Sequence, residues 1–317
     1  VTPVIAFGEA LVDMLSSRLG DGADSETETF TPYAGGAPAN VAVACARLGV
    51  PSRFLGMVGA DYFGDFLVQE LTRHGVDTSG IARTGEARTA LAFVSRDASG
   101  ERTFDFYRPP AADLLYRPHH LPGGVFDVRA ILHCCSNSLT EPAIAETTFA
   151  IVGQASAAGC LISVDVNLRH DLWPGGQADA RRVTRLLDRA ALVKLGREEL
   201  DALRGEQPVD TWFRDRFDAG VRLVIVTDGP GTVDVRTAEL GFVQRPPPVQ
   251  AVDTTAGGDA FTGGLLAMLA RDGIDAPWHR DAGRLRAMVD VACRCGAHAV
   301  TRPGAYTALP TTADVRF

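Results

Sequence analysis

A parallel α/β fold with a small β appendage is what this sequence predicts, and three observations carry that reading. Short apolar runs alternate with helical patterns through most of the chain. One region breaks the alternation with two period-two segments around a turn. The 317 residues, 46% apolar and 22% charged, suffice for one large domain with an appendage and lack the polar profile of a disordered chain.

In chain order, Val4 to Gly8 is an apolar run of strand length. The polar, glycine-containing stretch from Leu11 to Tyr33 is expected to add strands to the appendage. Ala39 to Leu48 sets Val41, Ala44, Cys45 and Leu48 on one helical face, and Gly49 supplies the stop. Phe54 to Val58 reads as the next buried strand. TALAFVSR and RTFDFYR alternate on either side of the turn-rich DASGE, a hairpin over Thr89 to Arg108 with the look of a lid. Ala130 to Cys134, Leu161 to Val166, Ala191 to Leu195 and Leu223 to Val226 complete the buried strands, separated by helical patterns as a parallel sheet requires. No internal repeat, low-complexity tract or interdomain linker is present.

A formal net charge of -8 argues against nucleic acid or anionic lipid as a partner while leaving room for a local phosphate pocket. Of the 31 Lys and Arg residues only Lys194 is a lysine, which confines any lysine-dependent chemistry to one position. The six cysteines show no C-x-x-C spacing and most lie in apolar runs, the pattern of structural thiols in a reducing cytosol. The first apolar run has no basic segment before it, and no apolar stretch is long enough to cross a bilayer, so a cytoplasmic protein without a membrane role is expected.

The stretch AVDTTAGGDAFTGGLLAMLA runs a cluster of small residues into a helix whose inner face carries Phe261, Leu265, Leu266 and Leu269. Gly257 and Gly258 therefore stand at a helix N-terminus, where unpaired N–H groups and the helix dipole suit an anion such as a transferring phosphate. Side chains at either glycine are expected to block that approach. Asp259, in the first turn, is an odd neighbour for an anion unless it takes a proton from an incoming nucleophile; otherwise it is an ordinary helix cap.

Common nucleotide motifs fail. Lys194 is preceded by Ala-Leu-Val and followed by Leu195, which rules out a P-loop and the lysine of protein kinases. Gly229-Pro-Gly231 lacks the third small residue of a dinucleotide fingerprint, position 234 being Asp. Earlier, TPYAGGAPANVAVACARLG places Gly35, Gly36 and Asn40 at another strand-to-helix transition, where close backbone approach to a ligand explains the glycines. Asn40 both donates and accepts, as a sugar hydroxyl does, and Asp13 can accept from two adjacent hydroxyls.

Together, GGAPANVAVACARLG followed by GADYFG, and DTTAGGDAF far downstream, resemble the two signatures of the ribokinase-like (pfkB) carbohydrate kinases. The resemblance spans nearly the whole chain. It implies a single domain over residues 1–317, a three-layer αβα sandwich with a mainly parallel sheet, and a β-lid formed by about residues 12–34 and 87–108. It implies Asp259 as catalytic base, an anion hole from the backbone of Ala256, Gly257 and Gly258, and a sugar held by Asp13, Gly35, Gly36 and Asn40. VTDGPG resembles the family's ATP-contacting turn in Thr227 and Gly229, with Gly231 nearby; Lys194, Gly258 and Cys293, the last where an asparagine often lines the pocket, complete the implied nucleotide site. VKLGREEL resembles the N-x-x-E segment that orders magnesium waters, with Glu199 in place but Gly196 for the asparagine. Ala256 stands where a glycine is usual, which is tolerable only at negative φ. A K+ site around Asp253 and Thr255 is a further implication.

Within the family, DVNLRHDLWPG and FDFYRPPAADLLY resemble segments of fructokinases and 2-keto-3-deoxygluconate kinases, which adds Asn167, Arg169, Arg108 and Phe104 or Phe106 to the sugar contacts. The arginines suit a keto-acid carboxylate. The wording of GEALVDM and YRPPAADLLY sits closer to fructokinases, so fructose is the expected substrate, phosphorylated by ATP at a primary hydroxyl, O6 being the expected position. The keto-acid kinase and a non-catalytic sugar or nucleotide sensor are the alternatives. The helix dipole is expected to lower the Asp259 pKa. The apolar alternation of Leu91, Phe93, Phe104 and Phe106 predicts a homodimer through the lid.

Overall fold

A computed structural model describes residues 1–19, 27–96, 102–108 and 110–315. Its strands and helices run in the order β1 (Val4–Phe7), β2 (Leu11–Leu19), β3 (Phe30–Gly35), α1 (Ala37–Arg47), β4 (Ser52–Gly59), α2 (Tyr62–Arg73), β5 (Asp77–Thr84), β6 (Leu91–Arg96) and β7 (Arg102–Tyr107). Then come β8 (Ile131–Cys135), α3 (Pro142–Ala157), β9 (Leu161–Asp165), α4 (Ala180–Leu187), β10 (Leu192–Gly196), α5 (Arg197–Arg204) and α6 (Val209–Asp218). The chain closes with β11 (Leu223–Thr227), β12 (Val233–Arg236), β13 (Gly241–Gln244), α7 (Gly257–Asp272) and α8 (Ala282–Ala299).

The main sheet has nine strands in the order β13-β12-β11-β10-β9-β8-β1-β4-β5. All neighbours from β11 to β5 pair in parallel, and β12 and β13 add an antiparallel edge. Successive residues of each inner strand feed opposite layers: Val4 and Ala6 pack with α1, α7 and α8, while Ile5 and Phe7 pack with the layer of α3, α4 and α6. Burial on both faces is why these strands read as continuous apolar runs. From β1 the chain first builds outward through β4 to β5, then returns to place β8 on the other side of β1. That reversal opens a crevice beyond the carboxyl ends of the strands, the usual ligand position in open α/β sheets.

The second sheet, β3-β2-β6-β7, is mixed: β2–β3 and β6–β7 are antiparallel, and β2–β6 is parallel. The expected hairpin strands pair, while the turn DASGE at residues 97–101 and the middle of the Leu11 to Tyr33 stretch at 20–26 lie outside the described residues. The register divides the apolar residues of the lid. Val94 lies opposite Phe104 and Ala92 opposite Phe106, whereas Phe93 lies opposite Asp105 and Leu91 opposite Tyr107. Because side chains alternate between faces, the four apolar residues form two faces rather than one. Phe104 and Phe106 stack at 5.8 Å on the crevice side, and Phe93 contacts Phe30 and Tyr107 at 5.1 and 5.0 Å on the outer side.

Three strands went unread. Strand β5 is a half-exposed edge with only Gly80 buried, and β12 and β13 are four residues each, so none carries an apolar run.

Candidate active site

The crevice is a cleft of about 760 Å³ at the carboxyl ends of β1, β8, β9, β10 and β11, roofed by β2 and β7 and floored by the first turn of α7. The small residues before α7 let that helix begin at the cleft, with Ala256 as N-cap at φ -101, so its methyl group is unstrained. Asp259 projects from the first turn and is buried, and the Asn40 side chain of α1 donates to its Oδ2 at 2.6 Å. Two signatures 219 residues apart thus meet in one hydrogen bond.

Burial pushes the Asp259 carboxyl up to about 7, the neighbouring Asp165 adds to the rise, and the Asn40 hydrogen bond with the Lys194 and Arg169 cations opposes it. The shift is opposite to the lowering expected from the helix dipole, and its largest cause is desolvation of the buried carboxyl. A carboxyl at this value is half ionised near neutrality, where a general base works best.

Lys194 reaches from β10 to the same spot. Its Nζ donates to both Asp165 oxygens at 3.1 and 2.9 Å, and Asp165 also accepts from Thr262 of α7 at 3.0 Å. Burial works to lower its pKa, but Asp165, Glu199 and Asp259 hold it above the ordinary lysine value, so the ammonium stays charged. A Cβ on Gly258 would come within 3.1 Å of this Nζ, so Gly258 keeps the cation close to the helix N-terminus. Two positive ends pressed together make a site for an anion.

Of the remaining sequence-predicted residues, the cleft collects Asp13, Gly36, Phe104, Asn167, Arg169, Glu199, Thr227, Gly229 and Thr255 on its walls. Several others do not reach it. Gly35 leaves room for a side chain rather than a ligand, since a Cβ there would sit 2.5 Å from Asp13 Oδ2. Gly257 answers to packing, its missing Cβ being 2.7 Å from Val300, and its N–H points to the Thr254 carbonyl at 3.3 Å. Arg108 is 4% exposed, its guanidinium paired with Asp113 at 2.6 Å and donating to the Asn137 carbonyl at 2.9 Å. Gly231 serves the turn, donating to the Asp228 carbonyl, and Ala256 and Cys293 are buried off the cleft wall. Asp253 accepts from the Thr255 and Gly304 amides at 3.0 and 2.8 Å, tying two loops together.

Sequence reading missed Glu9, Asn137 and Asp165. Glu9 lies two residues beyond β1, 2% exposed, and accepts from Asn137 Nδ2 at 3.0 Å. Burial raises its pKa against the pull of Arg108. The signal was available: a carboxylate at the end of an apolar strand run needs a partner or a ligand.

A region spanning residues 1–312 matches the model of the pfkB family carbohydrate kinases, and the chain belongs to that family. Among curated relatives, probable fructokinase-7 of Arabidopsis thaliana is 38% identical over 313 residues, 98% of this chain and 90% of that protein. Fructokinase-2 of Solanum lycopersicum is 35% identical over 312 residues, covering 98% and 94%. A crystal structure of fructokinase with bound ATP from Xylella fastidiosa superposes with a TM-score of 0.92 at 42% identity over 98% of this chain and 96% of the other. A fructokinase from Vibrio cholerae O395 in a fructose, ADP and calcium ion bound form superposes with a TM-score of 0.87 at 36% identity, covering 98% and 97%.

Proposed function

We propose that this protein is an ATP-dependent fructokinase that transfers a phosphoryl group to the primary O6 hydroxyl of fructose. The observation that carries this is Asp259: a buried carboxylate poised near neutrality, oriented by Asn40, beside a helix N-terminus and a charged lysine. Fructokinases at 35 to 42% identity supply the sugar.

In this reading fructose lies at the Asp13, Asn40 and Asn167 end, under Phe104 and Phe106, with its hydroxyl against Asp259. The base takes or orients the hydroxyl proton, and the turn at Gly258 with Lys194 stabilises charge on the transferring group. ATP supplies that group, and Thr227, Gly229, Gly258 and Lys194 would hold it; the open space at Gly229 and the close approach of Lys194 Nζ to Gly258 fit such a ligand. Among the described residues no group of three or more His, Cys, Asp or Glu could enclose a metal ion. Magnesium would therefore arrive on the nucleotide, with Glu199 reached through water. The buried, unpartnered hydroxyl of Thr255 fits a potassium ion near Asp253.

Of the two arginines that would suit the keto-acid, Arg108 is buried off the cleft wall and paired with Asp113, which leaves Arg169 alone to meet a carboxylate. A homodimer through the outer lid face is proposed from Phe30, Phe93 and Tyr107, the last 61% exposed. A cytoplasmic location is proposed from six buried free cysteines; among the described residues no helix is long and apolar enough to cross a membrane. The test is ADP release against fructose, 2-keto-3-deoxygluconate, ribose and adenosine, with Asp259→Ala as the blank. Selective turnover of fructose supports the proposal, turnover of the keto-acid replaces the substrate, and silence on all four overturns fructose as the substrate and points to another sugar or to the sensor alternative.

A further inference from the structure

Glu199 carries two backbone hydrogen bonds that point in different directions. Its Oε2 accepts from Gly196 N–H at 2.6 Å, the ordinary capping box of α5. Its Oε1 leaves the helix and accepts from Leu168 N–H, also at 2.6 Å, in the loop after β9. Leu168 stands between two cleft residues. Asn167, at φ 41, is the one non-glycine residue at positive φ among the described residues, and Arg169 lies close enough to Asp259 to oppose the rise in its pKa.

A left-handed conformation is uncommon outside glycine, asparagine being among the residues that adopt it most readily, and it persists where the surroundings over-determine it. The β9 ladder ends at Val166 N–H, bonded to the Lys194 carbonyl at 2.9 Å, and the next turn closes from Leu172 N–H to the Arg169 carbonyl at 3.1 Å. Between those anchors the Glu199 carboxylate fastens the peptide that follows Asn167. An ionised carboxylate is acceptor-only and satisfies both donors at once; an amide in its place satisfies one and turns N–H against the other.

We infer that Glu199 is a positioning residue for the sugar subsite, clamping the Asn167 to Arg169 loop to the N-terminus of α5 so that sugar contacts and the nucleotide end of the cleft are held as one unit. The inference rests on the fructose reading above. It assigns Glu199 work that needs neither nucleotide nor metal, unlike a role through magnesium waters.

The experiment is calorimetric titration of fructose into the full chain with chelator present and nucleotide absent, for wild type, Glu199→Gln, Arg169→Ala and the double variant. Glu199→Gln is expected to weaken fructose about tenfold, and this loss is expected to shrink to within about twofold in the Arg169→Ala background, because neighbours acting through one another are non-additive. Glu199→Asp keeps a carboxylate in the first turn of α5 but is too short to span to Leu168, so it should fold and show the same loss. Fructose affinity within about twofold of wild type in both Glu199 variants overturns the clamp. Absence of fructose binding to wild type is a different result, which overturns the fructose reading itself.

Discussion

The two ends of the cleft are built differently. On the proposed sugar side Glu9, Asp13, Asn40, Asn137 and Asp259 are buried, with Arg169 exposed at the rim, and Asn40 with Asp259, and Asn137 with Glu9, hold one another by hydrogen bonds. On the proposed nucleotide side Lys194 is buried, but Glu198, Asp228, Gly229 and Pro230 are exposed on helix starts and turns. The difference follows the chemistry. A reacting hydroxyl needs a base and dipoles fixed in place and kept from water, whereas a nucleotide that enters and leaves each cycle is met by backbone and rim.

The comparison breaks most sharply at Asp259. Asp259→Asn should lower fructose turnover about 10²- to 10⁴-fold while the nucleotide dissociation constant, measured by calorimetry, stays within about threefold. Next comes pH. Because the base acts ionised and its pKa is raised to about 7, kcat/KM should climb as pH rises through about 7. Removing the Asn40 hydrogen bond, which lowers that pKa, should move the limb to higher pH in Asn40→Ala. The same raised pKa has a stability consequence of opposite sense. The folded state binds the Asp259 proton more tightly than the unfolded chain, so this group's contribution to stability falls as pH rises from about 4 to about 7, readable in denaturant midpoints.

Smaller effects separate the glycines. Gly35→Ala forces Asp13 aside and should raise the fructose KM several-fold without changing that for ATP. Gly257→Ala meets Val300 and should instead cost roughly 1–3 kcal/mol of stability in urea unfolding. The smallest effect belongs to the rim: Asp228→Ala should alter the ATP KM within about threefold.

What the sequence disclosed and what it hid divide along the same line. The turns that carry Asn40 and Asp259 were legible because strand-to-helix transitions leave a local record in small residues and caps. The six inner strands were legible because burial on both faces writes an unbroken apolar run. Glu9 left one local sign, a carboxylate closing an apolar run, but its pairing with Asn137, 128 residues away, and that of Asp165 with Lys194, 29 residues away, leave no local record. For the same reason Gly35 and Gly257 looked like ligand-facing glycines: a sequence shows that a Cβ is missing, not what it would strike. Arg108 was misplaced because Asp113, five residues on, reads as a loop carboxylate until the fold buries both.

The most direct test of Asp259 as the base of fructose phosphorylation is the pH dependence of fructose-dependent ADP release by wild type and Asp259→Asn. An acid limb near pH 7 in wild type, absent from a variant slowed by orders of magnitude, is the predicted result. Equal turnover in the two proteins, or a wild-type limb near the ordinary carboxylate value, would contradict it.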